Sequence, residues 1–217
     1  MKKKQHLTLA IGLGVCIFLL LLSLRVALTH QSSSAESSLF LSINDWSETL
    51  RWPFKVITSF GTVWTLFAVT LVAIARKYYR LALRLLAGGS LAFVVCNLLK
   101  AAVARPRPLQ LISPVHLREY LIAGNGFPSV HTALITVIVL LLAPLVSRRW
   151  RPLFAALVVL VGLSRVYLGV HLPLDVVGGF TTGALVVLSS RLLHGKLRFV
   201  TKITHLKLTA RLAKKLP

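Results

Sequence analysis

The sequence predicts an all-α integral membrane protein of six transmembrane helices. Three observations carry this reading. The 217 residues are 56% hydrophobic with a mean hydropathy of +0.78, too apolar for an ordinary soluble domain. Six apolar runs, at 7–29, 54–75, 81–104, 130–146, 152–168 and 173–193, approach the length of about 20 residues that crosses a bilayer. The basic residues gather between alternate runs, as they do in loops that face the cytoplasm.

The runs follow in order. The first begins with Lys2, Lys3 and Lys4 and continues into a long apolar core, like a signal sequence, but no small-x-small cleavage site follows. It is expected to be a retained helix. QSSSAESS (31–38) is polar and reads as a loop. Arg76, Lys77 and Arg80 separate the second run from the third, and a long outer loop (105–127) leads to the fourth. Arg148, Arg149 and Arg151 separate the fourth from the fifth, which is short at its outer end. The sixth passes into a tail rich in Lys and Arg.

With six alternating helices, those basic clusters all fall on one side, which places both termini in the cytoplasm. Glu36, Asp45, Glu48, Glu119 and Asp175 then all fall on the other side. The chain is expected to form a single membrane domain, with 194–217 as a basic cytoplasmic tail. That tail is either an amphipathic helix touching anionic lipid or a plain positive-inside extension. The net charge of +21 is accounted for by topology, so nucleic-acid binding is not expected. Cys16 and Cys96 lie inside apolar runs and read as core fillers.

Some charges are not explained by topology. Lys100, Arg105, Arg107 and Arg165 approach the non-cytoplasmic surface at the ends of the third and fifth runs. Ionisable residues at membrane depth are functional candidates. The third run ends NLLKAAVARPRP, the fourth opens FPSVH, and the fifth ends SRVYLGVHLPLD. In the alternating topology the three stretches meet one face. Fixed cations and helix N-terminal amides suit a tetrahedral phosphate. Arg107 and Arg165 can each donate paired hydrogen bonds, and Lys100 adds a point charge. Ser129 stands at the start of the fourth helix, where its hydroxyl and the nearby amides can meet phosphate. His131 and His171 can divide the proton and nucleophile work. Asp175, four residues after His171, can hold that imidazole if the stretch is helical.

The spacing K-x6-RP, PSxH and SR-x5-H-x3-D, in that order, resembles the type 2 phosphatidic acid phosphatase family, which also includes the vanadium haloperoxidases and glucose-6-phosphatase. The likeness covers roughly residues 90–190, with the motifs within 97–175. It implies His171 as the nucleophile that forms a phosphohistidine. It implies His131 as the acid that protonates the leaving oxygen and then the base that activates water. Asp175 would orient His171, while Lys100, Arg107, Arg165 and Ser129 would bind the phosphoryl oxygens. No metal or cofactor is implied, and the five acids are scattered along the chain with only Asp175 at the site, a poor magnesium cage. The family's usual second motif is PSGH. Here Val130 replaces the glycine, which is allowed if the motif is simply the first helical turn.

Arg105 is left outside this site, as a residue that can snorkel. His116, in the outer loop, is given no direct role, and Asn97 is a candidate to orient Lys100 from one turn away. Gly178, Gly179 and Gly183 read as close-packing positions. The expected activity is removal of phosphate from a lipid phosphate or diphosphate: undecaprenyl diphosphate, phosphatidylglycerol phosphate, phosphatidic acid or the phosphates of lipid A. The site would face the periplasm or exterior. The rival readings are a lipid phosphotransferase, an anionic-lipid transporter and a non-catalytic scaffold. Transporter sites usually lie near the midplane between repeats, and no repeat is visible here.

Overall fold

Apolar helices dominate the computed structural model, which describes residues 3–119 and 124–213, with side chains from 6 to 119 and 124 to 193. Helix α1 (Lys3–Ala27) is the long apolar N-terminal run. Helix α2 (Ser34–Asn44) starts inside the segment expected to be a loop. Ser33 caps it by accepting a hydrogen bond from the Glu36 N–H at 3.2 Å, so S-x-x-E here is a helix start rather than a polar linker.

The second apolar run is broken. Helix α3 (Arg51–Ser59) and helix α4 (Val63–Ala75) meet at an angle of 49°. The Thr62 side chain caps α4 by accepting from the Thr65 N–H. The break also holds Gly61, where a Cβ would come within 2.7 Å of the His131 carbonyl oxygen, so only glycine admits this approach of the two backbones. Helix α5 (Tyr79–Val103) ends at Ala104, which takes a left-handed conformation (φ 48°) just before Pro106. A single turn, α6 (Pro108–Leu111), follows.

Helix α7 (Val130–Leu142) is capped by Ser129 and ends four residues earlier than the 130–146 expected from hydropathy. Residues 132–139 are all buried, so α7 is the central helix of the bundle, apolar all round because it is covered all round. Helix α8 (Arg151–Tyr167) ends at a turn through Gly169 (φ 77°). Helix α9 (Pro173–Ala213) opens on proline at its first position and packs along α1 and α7. Gly178, Gly179 and Gly183 face Phe127, Ser129 and Ala133; a Cβ on Gly179 would strike the Ser129 carbonyl, so these glycines serve close packing as expected.

Four of these helices are long and apolar enough to cross a bilayer, or five with the bent α3–α4 pair taken as one crossing. The protein is therefore a multi-pass membrane protein built of helices. Helix α7, at 13 residues, is shorter than the ordinary crossing length. The backbone of the basic tail continues α9 as far as Ala213, while the question of which face its side chains present lies outside the described residues.

Candidate active site

The C-terminal ends of α5 and α8 and the N-terminal ends of α7 and α9 come together at one end of the bundle. Lys100, Arg107, His131, Arg165 and His171 line a single cavity there, of about 670 Å³. Trp64 and Phe93 supply part of its apolar wall. Three motifs far apart in sequence thus share one chamber.

Each cation is held by its surroundings. Lys100, in the last turn of α5, donates from Nζ to the Asn125 carbonyl at 2.5 Å and the Gly126 carbonyl at 3.2 Å. The Asn125 side chain returns a bond to the Lys100 carbonyl at 2.8 Å. Asn97, expected to orient Lys100, instead donates to the Phe93 carbonyl of its own helix. Arg107 donates from Nε to the Gly124 carbonyl and from Nη1 to the Val170 carbonyl, both at 2.8 Å. Arg165 is 4% exposed. Its Nη1 donates to Thr58 Oγ1 at 3.0 Å and to Glu119 Oε2 at 2.8 Å, while its buried Nε finds no protein acceptor among the described residues. A buried guanidinium N–H at a cavity wall costs free energy until an acceptor meets it.

His171 is 3% exposed and stands in the turn between α8 and α9. Burial pushes its pKa well below the usual imidazole range, and the charges of Lys100, Arg165 and Arg107 push the same way, against a smaller opposing effect of the Gly126 carbonyl. The imidazole is therefore held neutral. Its Nδ1 lies 3.5 Å from Asp175 Oδ2, close enough for charge interaction but at the outer limit for a hydrogen bond.

The structure corrects the sequence reading around Asp175. Oδ1 of Asp175 accepts from Arg105 Nη1 at 2.8 Å, and Oδ2 accepts from the Leu172 N–H at 2.9 Å. Arg105 does not snorkel: its side chain has no solvent exposure and also grips Glu36 through both terminal nitrogens, at 3.2 Å and 2.6 Å. Glu36 in turn accepts from the Leu174 N–H at 3.1 Å, in the first turn of α9, where a carboxylate is favoured. The acids are thus not scattered. Glu36 and Glu119 join Asp175 around the site, one behind it and one on the cavity wall. Among the described residues no group of three His, Cys, Asp or Glu side chains is placed to hold a metal ion.

Ser129, expected to meet phosphate, is fully buried as the cap of α7 and is not among the residues that line the cavity; its hydroxyl accepts from the Thr132 hydroxyl at 3.1 Å. Its N–H donates to the Asp175 carbonyl at 2.9 Å, which ties the PSVH motif to the start of α9. Val130 is the first residue of α7, and φ there is not positive, so valine fits where the related motif has glycine. His116 pairs with Asp45 at 3.1 Å in an exposed position, away from the cavity lining.

Sequence reasoning missed Arg105, Glu36, Asn125 and Glu119. Two of them carried a signal. Ser33 and Glu36 have capping-box spacing, and Asn125-Gly126 is a turn dipeptide one residue ahead of the PSVH motif.

A cationic chamber bearing two imidazoles, set at one end of an apolar helical bundle, can bind a phosphoryl group and exchange its oxygen; it marks the phosphoric-ester hydrolases of membranes. More particularly, the chain belongs to the PAP2 superfamily, whose family model matches residues 81–199. It is similar to an undecaprenyl-diphosphatase of Sulfolobus acidocaldarius, 28% identical over an alignment of 173 positions that covers 77% of this chain and 84% of the relative. Among solved structures, it resembles the crystal structure of Aquifex aeolicus LpxE at 25% identity and a TM-score of 0.67, over 74% of this chain and 98% of the other. It also resembles a PAP2-type phosphatidylglycerolphosphate phosphatase from Bacillus subtilis at 26% identity and a TM-score of 0.68, over 83% and 96% of the two chains.

Proposed function

We propose that this protein is a lipid phosphatase that hydrolyses a polyprenyl or glycerolipid phosphate or diphosphate through a phosphohistidine on His171. The observation that carries this reading is the convergence of Lys100, Arg107, Arg165, His131 and His171 on one cavity. Nε2 of His171 attacks phosphorus while Nδ1 stays turned toward Asp175. The bond from phosphorus to the leaving oxygen breaks as His131 gives that oxygen a proton. His131 then takes a proton from water, whose oxygen attacks the phosphohistidine and frees phosphate and His171. Lys100, Arg107 and Arg165 stabilise charge on the non-bridging oxygens, with the amides at the start of α7 beside Ser129 assisting. No step needs a metal ion.

Six crossings complete the proposal: α1, the α3–α4 pair, α5, the short α7, α8 and the first part of α9. Both termini would then be cytoplasmic and the cavity would open on the periplasmic or outer side of the cytoplasmic membrane. A chamber at the membrane surface suits a substrate whose tails stay in lipid while its head reaches the cations. Two of the three named relatives are an undecaprenyl-diphosphatase and a phosphatidylglycerolphosphate phosphatase, which supports these two head-group classes.

Phosphate release by the purified protein from a panel of lipid phosphates, with and without EDTA, tests this function. The expected result is release that survives EDTA, is blocked by vanadate and disappears in His171→Ala. A fully active His171→Ala variant would overturn the mechanism.

A further inference from the structure

Behind the cavity, one guanidinium is shared by two carboxylates from different ends of the chain. Arg105 bonds Asp175 at 2.8 Å and Glu36 at 2.6 Å, and all three side chains are shielded from solvent. Asp175 itself lies beside His171. Glu36 sits on α2, outside the residues that the family model matches. We propose that Arg105, gripped by Glu36, is the positioning residue that sets the orientation and effective charge of Asp175 toward His171.

This inference rests on His171 being the nucleophile and extends that reading. A carboxylate that holds a histidine must be held itself, or its direction and charge are left to chance. Here Oδ2 of Asp175 takes the Leu172 N–H and faces His171, while Oδ1 is fixed by Arg105. Glu36 fixes the other side of Arg105 and the first turn of α9 together. Two carboxylates and one guanidinium leave a net charge of −1, so Glu36 restores negative charge that Arg105 would otherwise cancel at Asp175. Neither Glu36 nor Arg105 lines the cavity, so both act through Asp175.

The competing account is a structural clamp that merely fastens α2 to α9. The two differ in pH dependence. The charged or titratable groups around His171 are Asp175 on α9, Lys100 on α5, Arg107 beside α6, Arg165 on α8 and His131 on α7. Glu36→Gln removes one negative charge from this field, so protonated His171 becomes less favourable. The acidic limb of kcat/KM then moves to lower pH. Arg105→Gln removes a positive charge, and the limb moves to higher pH. A clamp that loosens the fold moves neither limb in a charge-ordered way.

The test uses the full chain, purified, with Glu36→Gln, Arg105→Gln, Arg105→Lys and His171→Ala measured side by side. The expected result for Glu36→Gln is a fall in kcat of about tenfold or more, as for other supporting partners of a site histidine, with KM within about twofold. The two Gln variants should shift the acidic limb in opposite directions, and Arg105→Lys should recover part of the kcat lost in Arg105→Gln. If Arg105→Gln fails to fold, the near-isosteric Glu36→Gln decides alone. A Glu36→Gln protein with unchanged kcat and an unmoved limb would overturn the proposal, as would activity losses that merely follow lowered melting temperatures. With His171→Ala inactive, that outcome removes the positioning role alone; an active His171→Ala removes the nucleophile reading and this inference with it.

Discussion

Arg165 and Glu119 form an ion pair on the wall of the candidate active site, with Nη1 2.8 Å from Oε2. The arginine is 5% exposed at its side chain and the glutamate 30%, so the cation belongs to the bundle and the carboxylate to the cavity edge. A phosphate entering the chamber competes with Glu119 for the same guanidinium. Glu119→Gln therefore lowers KM for a lipid phosphate by roughly threefold, the scale of a partly solvated ion pair, with little change in kcat. Steady-state kinetics on mixed micelles check this; a raised KM would show that Glu119 assists binding instead.

The neutral state of His171 sets a second expectation. Its pKa lies well below the usual imidazole value of about 6.5, so the neutral ring persists as pH falls through that value. kcat/KM reports the free enzyme. Its acidic limb should accordingly lie below the ordinary histidine range, with no loss between pH 7 and about 6 assignable to His171. An imidazole NMR titration that gives His171 a midpoint of about 6.5 would contradict the buried, cation-flanked setting.

Val130 gives a third. It opens α7 and packs, partly buried, against the apolar cluster that includes Leu66 and Leu134. Val130→Gly removes that packing and adds backbone freedom in a helical turn, so it should lower stability by about 1 kcal/mol while activity persists. Thermal melting in detergent, paired with a phosphate-release assay, reads both quantities.

Topology gives the fourth. Ser113 follows α6 at the cavity end, and Ser147 lies between α7 and α8 at the other end. Both native cysteines are buried, so background labelling is low. Cysteine placed at Ser113 should react with an impermeant reagent from outside the cell, and cysteine at Ser147 only after permeabilisation. Reaction of both from one side would refute the six-crossing arrangement.

Much of the fold was legible because hydropathy and helix periodicity are local. The apolar runs became helices near their expected bounds, and the glycines of α9 served packing. Two departures came from tertiary demands. The second run broke at Gly61 because the backbone of α7 passes there, and α7 ended early because a helix covered on all sides need not match the bilayer by itself. The segment 31–38 was misread because its polar composition hid a capping serine and a glutamate with a buried partner.

The chain alone pointed to the cations and imidazoles of the three motifs that reach the chamber, though not to Asn125 and Glu119 beside them. Lys100, Arg107, His131, Arg165 and His171 announced themselves as charged or titratable groups at the ends of apolar runs, where desolvation makes such residues costly without a role. Only the tertiary structure decided who holds them. Arg105 looked like a snorkelling cation and Glu36 like a loop acid because an ion pair spanning 69 residues leaves no periodic trace. Such a pair exists only when α2, the turn after α5 and the start of α9 are packed into one solvent-free volume, where an unpaired charge would be too costly to keep.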